Sequence, residues 1–330
     1  MVTVPRVVRK SRKARKLPPP KALCSSVSVV PAETVIIAGP TGVGKTALAL
    51  RLAQRIGGEI VGADAFQIYR GLPLLTSQPS IAEQAMAPHH LVGSVDPIVS
   101  FDAGRYLEAV FPILQDITSR GRIPVVVGGT GLYFKALLGG FDKIPDGDPG
   151  LREELAGLTL PSLIEKLRGL DPDALPMIDP ANRRRVERAV EIVMLTRKPL
   201  AASRTAKASS TGLRTIFLTR DQEELRRRIE TNVQSMFEAG VESEVEALAK
   251  EKTGPTAAMT LGLREIRSLL RDDLTRSQAM EAISSATKHY AKRQQTWFRN
   301  QHDFPAFSIS GFSDSAEVMD SVMHLLRLTA

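Results

Sequence analysis

Residues 39–46 read GPTGVGKT, three glycines followed by a lysine and a hydroxyl. Gly39, Gly42 and Gly44 let a backbone turn tightly and aim its amides at phosphate oxygens, with Pro40, Thr41 and Val43 filling the loop between them. Lys45 puts a point charge on the terminal phosphates, and the Thr46 hydroxyl suits the coordination shell of Mg²⁺. A helix starting at Lys45 adds its positive dipole end. The loop specifies a polyphosphate and nothing more, because a nucleoside triphosphate and a diphosphate ester present the same group to it. The second group with chemistry is Asp64, in ADAFQIY at 63–69. Beside a metal-bound nucleotide such an acid holds Mg²⁺ or orients an attacking group. As a general base it takes a proton from a nucleophile, which an adenine amine needs because its lone pair is delocalised into the ring. A plain helix cap is the third use of an aspartate there.

Basic residues fall in three clusters: Arg183, Arg184, Arg185 and Arg188; then Arg226, Arg227 and Arg228; then Lys288, Lys292, Arg293 and Arg299. Any one of them is a solvated helix face unless other groups join it. The last interleaves its charges with Tyr290, Trp297 and Phe298. Phosphate contacts with aromatic stacking are how proteins grip single-stranded RNA loops. The alternative for Trp297 and Phe298 is a place in the core. His89 and His90 have no metal-ligating company in sequence and read as structural. No Ser-His-Asp set and no zinc spacing is present.

These groups need a scaffold. TVIIAG at 34–39 is a β-branched run ending in glycine, a buried strand. EIVGAD at 59–64, RIPVVVGGTG at 122–131 and LRTIFLTRD at 213–221 read likewise. Helical periodicity runs over 45–57, 104–121, 223–251 with a break at Gly240, and 277–301. Strands alternating with helices predict a parallel sheet covered on both faces, with ligands beyond the carboxyl ends of the strands. The phosphate loop, the turn at Asp64 and the GGTGLY turn all follow strand ends and are expected to line one crevice. Residues 141–210 carry helical segments between Pro- and Asp-rich breaks and read as an inserted helical subdomain. The predicted layout is a basic arm at 1–32, a catalytic core at 33–140 and 211–310, and the insertion.

Composition narrows the class. The 330 residues are 43% hydrophobic and 24% charged, ordinary for a soluble globular protein. No apolar run approaches the roughly 20 residues of a membrane span. The single Cys24 excludes an internal disulfide and a multi-cysteine metal site, and points to a reducing, cytoplasmic compartment. The net charge of +8 comes from residues 1–32, which hold eight Lys or Arg and no acid; the remainder balances at 36 against 36. That arm, followed by Pro18, Pro19 and Pro20, reads as a disordered tail, a leader or an electrostatic contact to nucleic acid.

Eight blocks in order resemble one family: GPTGVGKTALA, ADAFQIYRGLPLLTSQPS, PHHLV, FDAGRY, GRIPVVVGGTGLYFKALLGG, DPANRRRVERAVEI, RIETNVQSMFEAGVESEV and AKRQQTWFR. They are similar to the tRNA dimethylallyltransferases of bacterial type, over about residues 34–301. The resemblance implies an α/β P-loop fold with a helical insertion that grips the anticodon stem-loop. It implies transfer of a dimethylallyl group from dimethylallyl diphosphate to N6 of the adenosine 3′ of the anticodon, with Mg²⁺ as cofactor. It places Asp64 as base, Thr41 and Lys45 as the diphosphate-binding pair and Arg228 as the stabiliser of the leaving group. It assigns tRNA contacts to Asp64, Ala65, Phe66, Gln67 and Thr130; to Arg184, Arg185, Val186, Glu187 and Arg188; to Met259, Thr260, Leu261, Gly262, Leu263 and Arg264; and to Thr287, Lys288, Lys292, Arg293 and Gln294. A monomer is expected.

The chain departs from the family pattern at Ala65, usually serine, at Gln78, usually lysine, at Asn232, usually arginine, and at Leu263, usually aromatic. With Asp64, Lys45 and Arg228 present, an active enzyme with weaker or altered tRNA contacts is expected. Competing readings are transfer to free AMP, a P-loop small-molecule kinase, and an RNA-binding protein whose active site has decayed.

Overall fold

The computed structural model describes residues 29–139, 147–203, 212–249, 252–312 and 315–328. The basic arm before Val29 lies outside the described residues. Contacts divide the chain into two compact units, residues 1–134 with 210–330, and residues 135–209.

The first unit is built on a parallel sheet. Its strands are β1 (Val35–Ala38), β2 (Gly58–Gly62), β3 (His89–His90), β4 (Ile123–Gly128), β5 (Arg214–Thr219) and β6 (Ala306–Ser308), in the order β3-β2-β4-β1-β5-β6. Every pairing is parallel. The central strands VIIA, IPVVVG and RTIFLT are near-continuous apolar runs because helices cover both faces and no side of the strand meets water. Helix α1 (Lys45–Ile56) follows β1 and stops where Gly57 turns left-handed, φ 63°, and donates its amide to the Ala53 carbonyl. Next come α2 (Ile81–Met86), α3 (Ala103–Ser119) and α4 (Gly131–Gly139). Ser80 and Glu83 close a reciprocal capping box on α2.

Beyond β5, the predicted long helix is two: α8 (Gln222–Glu238) and α9 (Val241–Ala249), separated by Gly240 at φ 87°. Then follow α10 (Leu263–Leu269), α11 (Arg276–Gln301) and α12 (Ser315–Leu325). Thr275 and Gln278 form a second capping box at the start of α11. The core between α1 and the sheet contains Val35, Ile37, Leu48, Leu52, Ile60, Val125, Ile216 and Leu218. It is closed by Met319 and Val322 of α12 and by Leu326 just after it.

The two edge strands and α12 were not legible from periodicity. β3 is two histidines paired to Ile60 and Val61, and β6 is three residues paired to β5. Strands that short show no alternation, and short edges are how a sheet avoids recruiting another chain.

The second unit holds α5 (Pro149–Ala156), α6 (Leu160–Leu170) and α7 (Arg183–Thr196), each opened by a polar cap, Asp148, Thr159 or Asn182. Its own core is Leu155, Leu163, Leu167, Ala174, Val186, Ala189, Val190, Val193 and Leu200. Buried Glu191 is paired by Arg152 at 2.7 Å and by Arg188, and buried Asp171 accepts from the Leu200 amide at 2.7 Å. Its described residues form helices joined by short turns, with no strand among them.

Candidate active site

β4 lies between β1 and β2, so the turn after β4 separates the phosphate loop from Asp64 and joins them. Gly128, at the end of β4, leaves no room for a side chain: a Cβ there would stand 2.0 Å from the Ala63 carbonyl oxygen. That close approach lets the Ala63 amide donate to Val127 O at 2.8 Å and the Thr130 amide donate to Ala63 O at 3.2 Å. The Thr130 hydroxyl then accepts from the Ala65 amide at 2.9 Å. Asp64 is thereby held two residues past β2. Its Oδ1 accepts from the Phe66 and Gln67 amides at 2.9 and 3.3 Å, and among the described residues no hydrogen bond occupies Oδ2. One carboxylate oxygen fixes the turn and the other is available for chemistry.

Across the turn, Gln294 of α11 fastens the loop. Its Oε1 accepts from the Thr41 amide at 2.8 Å, and its Nε2 donates to Gly129 O at 2.9 Å. Gly129 has no space for a Cβ, which would meet Gln294 Nε2 at 2.2 Å. Tyr290, one turn earlier on α11, lies near Thr130 and Gln294; burial and then the Asp64 charge push its phenol up. Phe66 packs on the Tyr290 ring with centroids 6.1 Å apart, and the Arg293 guanidinium lies over the same tyrosine ring, 5.6 Å from its centroid.

The loop itself ends at Gly44, φ 108°, which caps α1 with no side-chain bond to the free helix amides. Lys45 Nζ donates to Pro40 O at 2.7 Å. Burial pushes its ammonium down to about 8, and the Asp64 charge opposes that shift in part. Arg228 Nε donates to Gly42 O at 3.0 Å, so this guanidinium borders the loop's crest. Thr46 lines a cavity of about 20 Å³ with Gln67, Gly62 and Val127, room for about one water-sized group. That space is too small for a diphosphate. No cluster of three or more His, Cys, Asp or Glu residues able to hold a metal occurs among the described residues.

The residues assigned to tRNA divide by burial. In the first unit Thr260, Gly262, Leu263 and Gln294 are buried, while Met259 and Arg264 are exposed and Leu261 is half-buried. The side chains of Thr260 and Leu263 lie in the core. Thr287 spends its hydroxyl on Ile283 O of its own helix, at 2.7 Å. Lys288 pairs with Glu230 of α8, whereas Lys292 and Arg293 are exposed. In the second unit Val186 is buried, Glu187 pairs with Arg183 at 2.7 Å, and Arg184 and Arg185 are exposed. Arg226 is tied to Glu223 on its own helix.

Phe298 is a core residue, ringed by Phe134, Phe217 and Phe304. Trp297 is only part-buried and covers Gly131, whose absent Cβ would lie 2.0 Å from the indole. The histidines are structural: His90 Nε2 meets Glu59 at 2.8 Å, and His89 Nδ1 meets Ala87 O at 2.8 Å. Sequence reasoning missed the roles of Gln294 as a strap and of Tyr290, because both depend on a helix far along the chain. It also missed Arg220, whose only signal was its place directly after a strand.

A parallel sheet with a glycine-rich phosphate loop after β1 and an acid after the strand two places away defines a P-loop NTPase-like α/β protein. The sequence matches two family models, "IPP transferase" over residues 67–301 and "Isopentenyl transferase" over residues 32–86. It is 38% identical over 301 residues to a tRNA dimethylallyltransferase of Maricaulis maris, covering 88% of this chain and 97% of that one. It is 42% identical over 279 residues to one from a Caulobacter species, covering 81% and 89%. The full-length tRNA isopentenylpyrophosphate transferase of Bacillus halodurans superposes with a TM-score of 0.65 at 32% identity, over 89% of this chain and 97% of its own. A eukaryotic dimethylallyltransferase acting on tRNA gives 0.74 at 26%, over 90% and 80%. The chain belongs to the tRNA dimethylallyltransferase family of IPP transferases.

Proposed function

We propose that the protein transfers the dimethylallyl group of dimethylallyl diphosphate to N6 of the adenosine 3′ of the anticodon in tRNA, releasing diphosphate. The observation that carries this reading is the pairing of an anion-binding loop with Asp64 across the Gly128–Thr130 turn, close enough for Asp64 to act electrostatically on Lys45. A kinase needs the acid for a metal; a prenyl transfer needs it for the amine proton. With Oδ1 spent on two backbone amides, Oδ2 faces one proton at a fixed position.

The flipped base would enter from the side of Phe66, Thr130 and Tyr290 while the diphosphate occupies the loop. Lys45, Arg228, the Thr41 region and the free amides of α1 then meet negative charge as it develops on the leaving diphosphate. Mg²⁺ fits this donor set: with Thr46 as the one hydroxyl at hand and no carboxylate cluster, the ion would be held chiefly by diphosphate oxygens and water. Bound there, it would supply further charge neutralisation to the leaving group.

Within the first unit, the exposed Lys292, Arg293, Arg264 and Met259 are the residues we assign to tRNA contact; within the second, taken by itself, they are Arg184 and Arg185. With one cysteine and no possible internal disulfide, the chain suits the reducing cytoplasm; we assign it a monomeric state. Among the described residues no helix is long and apolar enough to cross a membrane.

Incubation with unmodified tRNA, dimethylallyl diphosphate and Mg²⁺, followed by nucleoside mass spectrometry, tests the reading. A prenylated adenosine is expected, and its absence overturns the proposal. AMP is the competing acceptor and belongs in the same assay. Product on AMP alone would replace tRNA as the substrate.

A further inference from the structure

Arg220, the first residue after β5, has a side chain only 12% exposed. Its Nε donates to Val43 O at 3.2 Å, so it touches the phosphate loop two residues on from the Thr41 amide that Gln294 holds. Its Nη1 pairs with Glu224 on the first turn of α8. Glu224 is held in turn: its Oε2 accepts from the Ser310 hydroxyl at 2.7 Å, and that hydroxyl accepts from the Asp221 amide at 2.8 Å. Two of the three guanidinium nitrogens are thus committed, and the plane of the group is set.

The third nitrogen, Nη2, has no hydrogen-bond partner among the described residues and points at Gly44. A Cβ built on Gly44 would stand 3.6 Å from Arg220 Nη2 and 3.9 Å from Arg228 Nη2, so both guanidiniums converge on the residue that caps α1. Burial first, and then the repulsion of Arg228, lower the proton affinity of Arg220. Around this point are three cations, Lys45, Arg220 and Arg228, and the positive end of α1. The acidic groups nearby are Glu224, already paired, and Asp64 beyond the turn. Such an excess is unfavourable in a protein that leaves it empty and suits an anion of high charge.

We infer that Arg220 is a further diphosphate-binding residue, whose Nη2 donates to an oxygen of the substrate's diphosphate above Gly44, with Glu224 and Ser310 aligning it. The inference rests on the proposed prenyl transfer for the identity of the substrate, and on geometry alone for the diphosphate. Glycine at position 44 is needed twice on this view: for its φ of 108°, and because a side chain would fill the space between the two arginines.

Binding of inorganic pyrophosphate to the full chain, measured calorimetrically with Mg²⁺, separates these points. Arg220→Gln is expected to weaken it by about 10- to 100-fold, the loss of one charge-assisted bond. The same variant should raise KM for dimethylallyl diphosphate by a like factor and leave tRNA affinity unchanged. Arg220→Lys keeps charge but not the fork, and should recover only part of the loss. Arg226→Gln, on the same helix as Arg228 but tied to Glu223, serves as the control and should change nothing. Circular dichroism and thermal melting check that the variants fold. A folded Arg220→Gln protein with pyrophosphate affinity within twofold of the parent overturns the inference. Loss of affinity in a protein that never prenylates tRNA would sustain the arginine's role and overturn the reaction instead.

Discussion

Raising the pH from 7 to 9.5 during titration with dimethylallyl diphosphate acts on one group at the phosphate loop above all. Lys45 holds its proton only up to about pH 8 in the free protein, against 10.5 for an unperturbed lysine, because burial disfavours the charged ammonium. That depression is worth about 3 kcal/mol. A bound diphosphate returns opposite charge to the ammonium and raises its proton affinity again. The bound state therefore holds more protons than the free state above pH 8, and affinity must fall as pH rises through that value. At pH 8 half the free protein has lost the proton, so affinity drops about twofold; at pH 9 it drops about tenfold. The ester's own last proton, with a pKa of about 6, is already gone over this range. Calorimetry in two buffers of different ionisation enthalpy reads the linkage directly: proton uptake on binding should rise from near zero at pH 7 towards one per site above pH 9. Arg at position 45, charged throughout, should abolish both the uptake and the slope. A parent protein whose affinity is flat from pH 7 to 9.5, with no proton uptake, would refute this account of Lys45.

Other outcomes follow from the same geometry. Asp64→Asn should lower kcat by roughly 10²-fold or more while tRNA affinity holds, as measured in single-turnover assays. Lys292→Ala combined with Arg293→Ala should weaken tRNA binding and reduce the slope of its logarithm against salt, read by filter binding across a salt series. Gln294→Leu leaves the Thr41 amide and the Gly129 carbonyl without partners and should cost about 2–6 kcal/mol in denaturant melts, at about 1–3 kcal/mol for each unsatisfied group. Glu59 is held down at about 2, first by its hydrogen bonds to Arg120 and then by His90. Its folded-state affinity for protons is depressed, so its contribution is present above pH 4.5 and lost as pH falls towards 2. Glu59→Gln should shrink the stability difference between pH 7 and pH 3 by roughly 1–3 kcal/mol.

The local grammar of the chain was enough for a good part of this protein. VIIA followed by GPTGVGKT is a strand, a phosphate loop and a helix start, because β-branched runs, glycines and helical periodicity act within a few residues of one another. The same reasoning found β2, β4, β5, the break at Gly240 and the long α11, and singled out Asp64 beside a strand end. Periodicity reports which side of an element avoids water. It carries no record of which element lies across from it.

That second kind of information came only with the tertiary structure. The order β2-β4-β1 places the Gly128–Thr130 turn between the loop and Asp64, and no local signal encodes strand order. Gln294 reaches Thr41 across 253 residues of sequence, and a polar residue within a helix looks the same whether it faces water or straps a catalytic loop. Leu263 and Val186 fell in blocks that read as RNA contacts and are core, while Arg220 stood outside every cluster and proved to border Gly44. Sequence determined the parts because their physics is short-ranged; the fold decided their partners, since contacts between distant segments exist only once the sheet has brought them together.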